Sequence, residues 1–251
     1  MMDLLIDVGN SRIKWATSQA GTLTAHGSAE HLGVVPVEAS QAWLKAESPA
    51  RVIAANVAGE RYAQSLQDWV QRQWSLDVEY IVVDPNYSDI KLAYSDPRKF
   101  GVDRWLALIA ARDLSSTDVA VIDVGTAVTV DVLSAQGQHL GGIIFPGLSL
   151  MQQSLQQKTF AIQPGLNARE KTLSDLLGTD TATGITNGSL YAVAGAMEHL
   201  LARLEAQTGA GLSVIISGGD AKAVQAELRI ESRHVPDLVL QGMQILKGVC
   251  E

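Results

Sequence analysis

A four-residue motif occurs twice in this chain, and its repetition constrains the possible folds more than any other feature. Ile6-Asp7-Val8-Gly9 returns as Ile122-Asp123-Val124-Gly125, a little under half the chain length later. In both places apolar residues precede the motif, and a small polar residue and an alternating apolar segment follow it. Each copy predicts a strand, a tight turn and a second strand. The spacing predicts two related lobes that open with the same acid-bearing hairpin.

The turn of this hairpin suits the phosphates of a nucleotide. Glycine lets the backbone approach a ligand closely, and successive N–H groups in such a turn form a concave site for anions. An Asp beside that site would repel phosphate unless a divalent cation lies between them, and Mg²⁺ is bound by one or two carboxylates, water and substrate phosphates. An Asp-x-Gly sequence also makes a plain hairpin turn. That is the simpler interpretation of one copy alone, whereas the repetition favours a functional one.

The composition describes a globular chain with ample core. Its 251 residues fit one large or two ordinary domains, and 47% of them are hydrophobic. The net charge of −8 argues against nonspecific nucleic-acid binding. We expect no membrane partner, because no apolar run approaches a membrane span and no signal-peptide pattern is present. Cys250 is the only cysteine, so a disulfide framework is excluded and a cytoplasmic location is expected.

The remaining pattern of strands and helices predicts an α/β fold in which a mixed sheet is covered by helices. In the first half, the predicted strands cover residues 3–8, 11–18, 23–27, 51–57 and 78–83, and the predicted helices cover 40–47 and 60–74. In the second half, strands are predicted at 119–123, 127–133, 139–145 and 212–217, and helices at 148–157, 181–208, after Asp220 and at 237–249, with an irregular segment at 158–173. Residues 115–117 are the expected boundary.

A second motif, Gly101-Val102-Asp103-Arg104-Trp105, stands between a loop at residues 84–99 and an apolar helix. Asp103 falls in the first turn of that helix, where the dipole and free N–H groups favour a carboxylate. It is either a plain helix-starting acid or a general base, with Arg104 as a clamp for an anionic substrate. The loop contains Tyr94, and functional residues often lie on loops held by a rigid scaffold.

Motifs of several other enzyme classes are missing. The sequence has no P-loop, no dinucleotide-binding glycine motif after a strand and no nucleophile elbow. The five histidines lack metal-ligand spacing, so we expect them to be surface or core residues.

The ordered set of motifs resembles the type III pantothenate kinase family. The resemblance rests on Asp7–Asn10 with Lys14, Gly101–Trp105, Asp123–Ala127 with Thr129, Gly141–Gly147 and Ser217–Asp220, in the family's order and over nearly the whole chain. The Gly-x-Asp-Arg-Trp element is the most discriminating. The Asp-x-Gly hairpins are shared with the wider actin, sugar kinase and Hsp70-like superfamily.

This resemblance implies a fold and an activity. Residues 1–116 and 117–251 would be two ribonuclease H-like lobes of the actin-like ATPase superfamily, with mixed sheets and an ATP cleft between them. The activity would be ATP-dependent phosphorylation of pantothenate to 4'-phosphopantothenate, the first step of coenzyme A biosynthesis. The enzyme would be a homodimer whose pantothenate pocket lies at the subunit interface. It would need Mg²⁺ and a monovalent cation, K⁺ or NH₄⁺.

The resemblance also implies roles for individual residues. The implied ATP-binding residues are Asp7, Val8, Gly9, Asn10, Ser11, Arg12, Ile13, Lys14 and Thr126. The implied pantothenate contacts are Tyr94, Gly101, Val102, Asp103, Arg104 and Thr181, with Asp103 as the catalytic base. Asp123 would bind K⁺, and Asp7 would bind Mg²⁺ through water. Thr179 and Thr183 are close rivals of Thr181, and the chain has Gly184-Ile185 where the family usually has Ala-Ile. Ser11 keeps the hydroxyl of the Thr found in many members.

The sequence is also compatible with two other functions. One is a kinase or phosphatase of the same fold for another small molecule, and the other is a non-catalytic accessory regulator of transcription. The presence of Asp7, Asp103 and Asp123 argues against a loss of activity, and the acidic charge argues against direct contact with DNA.

Overall fold

The computed structural model of the protein describes residues 1–87, 89–158, 176–208 and 211–250. In these residues the strands are β1 (Asp3–Val8), β2 (Arg12–Gln19), β3 (Thr22–Glu30), β4 (Arg51–Asn56), β5 (Val78–Tyr80), β6 (Val119–Val124), β7 (Ala127–Leu133), β8 (His139–Pro146), β9 (Ser213–Ser217) and β10 (Arg233–His234). The α-helices are α1 (Val37–Lys45), α2 (Glu60–Trp74), α3 (Val102–Leu114), α4 (Leu148–Lys158), α5 (Thr181–Thr208), α6 (Ala221–Gln225) and α7 (Leu238–Cys250), with one 3-10 turn at Pro97–Lys99.

Two five-stranded sheets with the same strand order form the framework. The orders are β3-β2-β1-β4-β5 and β8-β7-β6-β9-β10. The first sheet is mixed, because β2 pairs antiparallel with β1 and β3, while β4 pairs in parallel with β1 and β5. In the second sheet β9 pairs in parallel with β6 and β10. The motif repeat is therefore a repeat of topology, and Asp7 and Asp123 each precede the last residue of the first strand of their sheet.

The chain separates into two compact units. The first contains residues 1–116, 133–141 and the chain from Asp237 onward, and the second contains residues 117–132 and 142–236. Helix α7 belongs to the first unit and packs against α3. Gly242 makes this close approach possible, because a Cβ at this position would overlap the backbone of Leu106. The assignment of residues 1–116 and 117–251 to two lobes stays a prediction.

Each unit has its own hydrophobic core. In the first unit, alternate residues of β1 pack with the apolar face of α2, and four tryptophans continue this core edge to face. Their ring centroids are 5.9 Å apart for Trp15 and Trp43, 5.2 Å for Trp43 and Trp69, and 5.0 Å for Trp69 and Trp74. In the second unit, Ile122, Val124 and Val128 pack against Val193 and Met197 of α5.

Most predicted elements are present, and three of them have a boundary that differs by more than one residue from the prediction. Helix α1 begins at Val37 instead of residue 40. Pro36 directly precedes it with φ −67°, and proline is tolerated at a helix start, where its missing N–H breaks no helical hydrogen bond. Strand β3 is longer than predicted, because its polar, exposed residues show no apolar alternation in the sequence. Strand β5 ends at Tyr80 rather than residue 83. Apart from Lys158, the predicted irregular segment lies outside the described residues. Over the same described ranges, no helix combines the length and apolar character needed to cross a membrane.

Candidate active site

The first repeated hairpin brings a carboxylate and an ammonium group to the same position of the sheet. Asp7 of β1 lies directly opposite Lys14 of β2, and both residues are half-buried. Side chains alternate between the faces of a strand, and Leu4, Ile6 and Val8 enter the core. Asp7 therefore lies on the other face, where a directly opposed basic residue is a favourable neighbour.

The turn that joins β1 to β2 is tight and exposed at its tip. The Gly9 N–H donates to the carbonyl of Arg12 at 3.0 Å, while Asn10 and Ser11 are exposed. Ile13 and Val8 have fully buried side chains, so only their backbone atoms could meet a ligand. The Arg12 guanidinium lies 3.2 Å from the Glu30 carboxylate.

The second repeated hairpin is packed under two glycine turns. Gly147 donates its N–H to the carbonyl of Thr126 at 2.9 Å, and a Cβ on Gly147 would overlap backbone oxygens of this hairpin turn. Gly218 has φ +102°, which L side chains rarely adopt, and a Cβ there would overlap the backbone of Val124. Asp220 donates its N–H to the carbonyl of Val124 at 3.1 Å.

Three sequence motifs thus meet around the half-buried carboxylate of Asp123. Its Oδ2 atom would be 3.2 Å from a Cβ on Gly125, so the carboxylate folds over its own turn. Asp123 also lies opposite Ser217 in the pairing of β6 with β9. Thr126, at the tip, is exposed. The arrangement leaves a carboxylate, a hydroxyl and closely packed backbone at the end of this sheet.

All of the residues predicted to contact pantothenate except Thr181 lie in the first unit, in or just before the start of α3. Arg104 is buried and donates from Nη1 to the hydroxyl of Tyr94 at 3.2 Å. Its guanidinium carbon lies 4.3 Å from the centroid of the Phe100 ring, a distance at which a cation and an aromatic face attract each other. The fully buried His139 ring is 5.1 Å from Phe100, and its Nδ1 accepts from the N–H of Ala93 at 3.4 Å.

Asp103 lies in the first turn of α3, as predicted, and is half-buried rather than sealed in the core. Its Oδ1 accepts the N–H of Arg104 at 2.8 Å. The same oxygen would be 2.6 Å from a Cβ on Gly101, so any larger residue at 101 would displace the carboxylate. Glycine at this position therefore lets Asp103 fold back over the start of its helix, and Val102 beside it is buried.

Thr181 is the first residue of α5 and is exposed. Asp180 caps this helix, since its Oδ1 accepts the N–H of Thr183 at 2.9 Å and its Oδ2 accepts the hydroxyl of Thr183 at 2.9 Å. The Thr183 hydroxyl is therefore used within the cap, which makes Thr183 a weaker candidate than Thr179 or Thr181 for a substrate contact.

The structure thus groups most of the predicted residues into three local sites, and Thr181 is placed separately at the start of α5. Asp7 and Lys14 share one, Tyr94, Arg104 and the helix start at Asp103 share a second, and Asp123 and Thr126 share a third. Within the described part of the chain, no three His, Cys, Asp or Glu side chains lie close enough to hold a metal ion by themselves. Phe100, His139, Gly147 and Gly218 support these sites. Gly147 and Gly218 belong to glycine motifs that are visible in the sequence, while the contacts of His139 had no sequence signal.

Comparison with known proteins shows the family to which the sequence is similar. The sequence model of the type III pantothenate kinase family matches residues 3–203. A type III pantothenate kinase from Nitrosococcus oceani is 36% identical over 249 aligned residues, which cover 96% of this chain and 92% of the relative. A type III pantothenate kinase from Chromobacterium violaceum is 36% identical over 251 aligned residues, which cover 96% of this chain and 98% of the relative.

Solved structures with the same fold are more distant in sequence. A Campylobacter jejuni protein assigned to the Baf family of transcriptional activators superposes with a TM-score of 0.58 at 20% identity, covering 99% of this chain and 100% of that chain. The activator of 2-hydroxyisocaproyl-CoA dehydratase from Clostridium difficile, solved with bound ADPNP, superposes with a TM-score of 0.51 at 13% identity, covering 97% and 92%. At these identities the likeness shows the fold alone, which is the actin-like ATPase fold.

Proposed function

The chain belongs to the type III pantothenate kinase family, and we infer on this premise that it transfers the γ-phosphoryl group of ATP to pantothenate. The product is 4'-phosphopantothenate, and the reaction is the first step of coenzyme A biosynthesis. The observation that carries this conclusion is the family match over residues 3–203. The half-buried Asp103 beside the Tyr94 and Arg104 cluster supports it, because an alcohol acceptor requires a base and an anionic acceptor requires a cation.

We propose that Asp103 is the catalytic base. The primary hydroxyl of pantothenate attacks the γ-phosphorus of ATP, its proton passes to the Asp103 carboxylate, and the bond between the γ-phosphorus and the bridging oxygen breaks to release ADP. Tyr94 and Arg104 contact pantothenate, with the buried guanidinium opposite its carboxylate. Gly101 and Val102 contribute backbone contacts. Thr181 or Thr179 supplies a further hydroxyl.

On the nucleotide side, the proposal assigns the phosphates to the hairpin from Asp7 to Lys14, with Thr126 as a contact from the second hairpin. Phosphoryl transfer depends mainly on positioning and charge neutralisation, and Lys14 and the turn N–H groups supply both. The half-buried Asp7 carboxylate fits Mg²⁺, which prefers oxygen ligands and keeps several waters. Mg²⁺ bound there through water would add positive charge beside the phosphates.

The proposal gives Asp123 to K⁺ or NH₄⁺. Its carboxylate lies beside a turn whose backbone is closely packed by Gly147 and Gly218, and carboxylate and backbone carbonyl oxygens are suitable ligands for such a cation. If Asp123 were only structural, it would cap its own turn and the activity would not depend on K⁺. The response of the enzyme to K⁺ therefore distinguishes a cation ligand from a structural residue.

The proposed homodimer is supported by an exposed apolar surface in the second unit. Strand β8 lies at the edge of its sheet, and it exposes Ile143 and Ile144, the latter to 58%. Helix α4, which follows it, exposes Leu150 and Leu155. Exposed apolar side chains in two consecutive elements are candidates for an interaction site. We propose that a second copy covers this surface and completes the pantothenate pocket, and that the enzyme works in the cytoplasm, where ATP is available.

An acceptor panel tests the function. Purified protein with ATP and Mg²⁺ is assayed for ADP formation with pantothenate, with 4'-deoxypantothenate and with simple sugars, each in K⁺ and in Na⁺ buffer. We expect ADP formation with pantothenate alone and stimulation by K⁺. Comparable turnover with a sugar would favour a kinase for another small molecule. No turnover with any acceptor, in a folded protein, would favour the non-catalytic regulator.

A further inference from the structure

The His31 ring contacts the predicted phosphate-binding turn through one nitrogen and its own chain segment through the other. Its Nε2 lies 2.7 Å from the carbonyl oxygen of Gly9, and its Nδ1 accepts the N–H of Gly33 at 3.1 Å. A carbonyl can only accept and a backbone N–H can only donate, so the partners fix the neutral tautomer with the proton on Nε2. His31 is 9% exposed, and its ring meets the Tyr62 ring edge to face, with 4.5 Å between the ring centroids.

The backbone of His31 adds a second contact to the same turn, because its N–H donates to the carbonyl of Ser11 at 3.1 Å. Two carbonyls of the turn are thus held toward the end of β3. In a trans peptide the carbonyl and the following N–H point in opposite directions. With the Gly9 carbonyl held by the imidazole, the N–H of the exposed Asn10 is directed away from His31, as a donor to an anion at the tip would need to be.

We propose that His31 is a positioning residue for ATP: it fixes the Gly9–Asn10 peptide so that the Asn10 N–H faces the nucleotide phosphates. This rests on the proposed function, since it assigns the phosphates to the turn between β1 and β2. His31 acts through the backbone and does not itself touch ATP. No sequence pattern indicates this role, because His31 follows the polar, exposed strand β3 and the contact joins residues 22 positions apart.

Substitutions at His31 with a matched control test the assignment. His31→Phe keeps a ring over Tyr62 and removes both ring hydrogen bonds. His31→Gln keeps an amide donor near the position of Nε2, whereas the shorter His31→Asn places its amide near Nδ1 and cannot reach Gly9. Tyr62→Phe is the control, because the Tyr62 hydroxyl is buried and, in the described part of the chain, has no hydrogen-bond partner, and its removal leaves the His31 nitrogens untouched.

The readouts are KM for ATP, KM for pantothenate and calorimetric binding of a non-hydrolysable ATP analogue. We expect His31→Phe and His31→Asn to weaken ATP binding about 5- to 10-fold, the effect of one buried hydrogen bond, with KM for pantothenate within about twofold. His31→Gln and Tyr62→Phe should stay near wild type. Equal ATP affinity in His31→Asn and His31→Gln would overturn the proposal, even if His31→Phe does not fold. A parallel rise of both KM values would also overturn it, because it would indicate a general structural effect. A wild-type protein that binds the analogue but does not phosphorylate pantothenate would remove the proposed function and leave this inference standing.

Discussion

Replacing Asp103 by Asn separates the catalytic role of this side chain from its structural one. The carboxylate oxygen Oδ1 accepts the N–H of Arg104 at 2.8 Å in the first turn of α3. The amide oxygen of Asn can accept the same hydrogen bond, and the two side chains have nearly the same volume. The substitution therefore removes the negative charge and the proton-accepting capacity while leaving the helix start intact.

The expected sizes of the two effects differ widely. A carboxylate near a helix N-terminus contributes about 0.3–1 kcal/mol through the helix dipole, so the free energy of unfolding should fall by no more than about 1 kcal/mol. Loss of a general base typically lowers turnover about 10²–10⁴-fold. A purely structural Asp103 would produce the first effect without the second.

The assay is the initial rate of ADP formation at saturating ATP and pantothenate, with urea unfolding of the same samples. Asp113→Asn is the matched control, because it is the same substitution in the same helix at an exposed position, and it should keep wild-type turnover. Turnover of Asp103→Asn within about threefold of wild type, far less than loss of a base predicts, would remove Asp103 from the catalytic role.

Four further substitutions test other parts of the account. Asp123→Ala should abolish stimulation by K⁺ in the kinase assay, and full stimulation would refute the cation assignment. By light scattering we expect the wild type to be the proposed dimer and Ile144→Glu to be a monomer with lower pantothenate turnover, whereas an unchanged oligomeric state would exclude the surface formed by β8 and α4. Gly218→Ala should reduce the free energy of unfolding by about 2–4 kcal/mol, because of positive φ and overlap with the Val124 backbone; wild-type urea unfolding would contradict that. Burial raises the pKa of Tyr62 well above its ordinary value, so the unfolded chain ionises first and stability falls as pH rises above about 10. In urea unfolding between about pH 8 and 11, Tyr62→Phe should reduce the dependence of the free energy of unfolding on pH. An unchanged pH dependence would mean that other groups cause the loss of stability.

Local sequence patterns were sufficient to predict most helices and strands, because apolar spacing, helix caps and turn residues act over short stretches of the chain. Helix α2 has the predicted bounds, since its apolar positions recur at helical spacing and Gly59 precedes it. Helix α5 also begins at the predicted residue despite three exposed glycines, because Asp180 caps its start and its other face packs in the core. The two Ile-Asp-Val-Gly motifs correctly predicted equivalent hairpins in two sheets.

Contacts between distant parts of the chain could not be predicted in this way. His139 follows the turn after β7 yet packs beside Phe100 in the first unit, and no periodicity encodes that meeting. The burial of Arg104 depends on the rings of Tyr94 and Phe100, which lie in the irregular loop before α3, where no periodicity predicts their positions. The contact of His31 could not be predicted either, because a histidine at the end of a polar strand is most simply a surface residue until the position of Gly9 is known.

The most direct test of the central claim is the identity of the phosphorylated product. The protein is incubated with ATP, Mg²⁺, K⁺ and pantothenate, and ADP and the acceptor are followed together by mass spectrometry. The account predicts one phosphorylated pantothenate for each ADP, with the phosphoryl group on the primary hydroxyl and no product from 4'-deoxypantothenate. ADP accompanied by free phosphate at the same rate with and without pantothenate would contradict it.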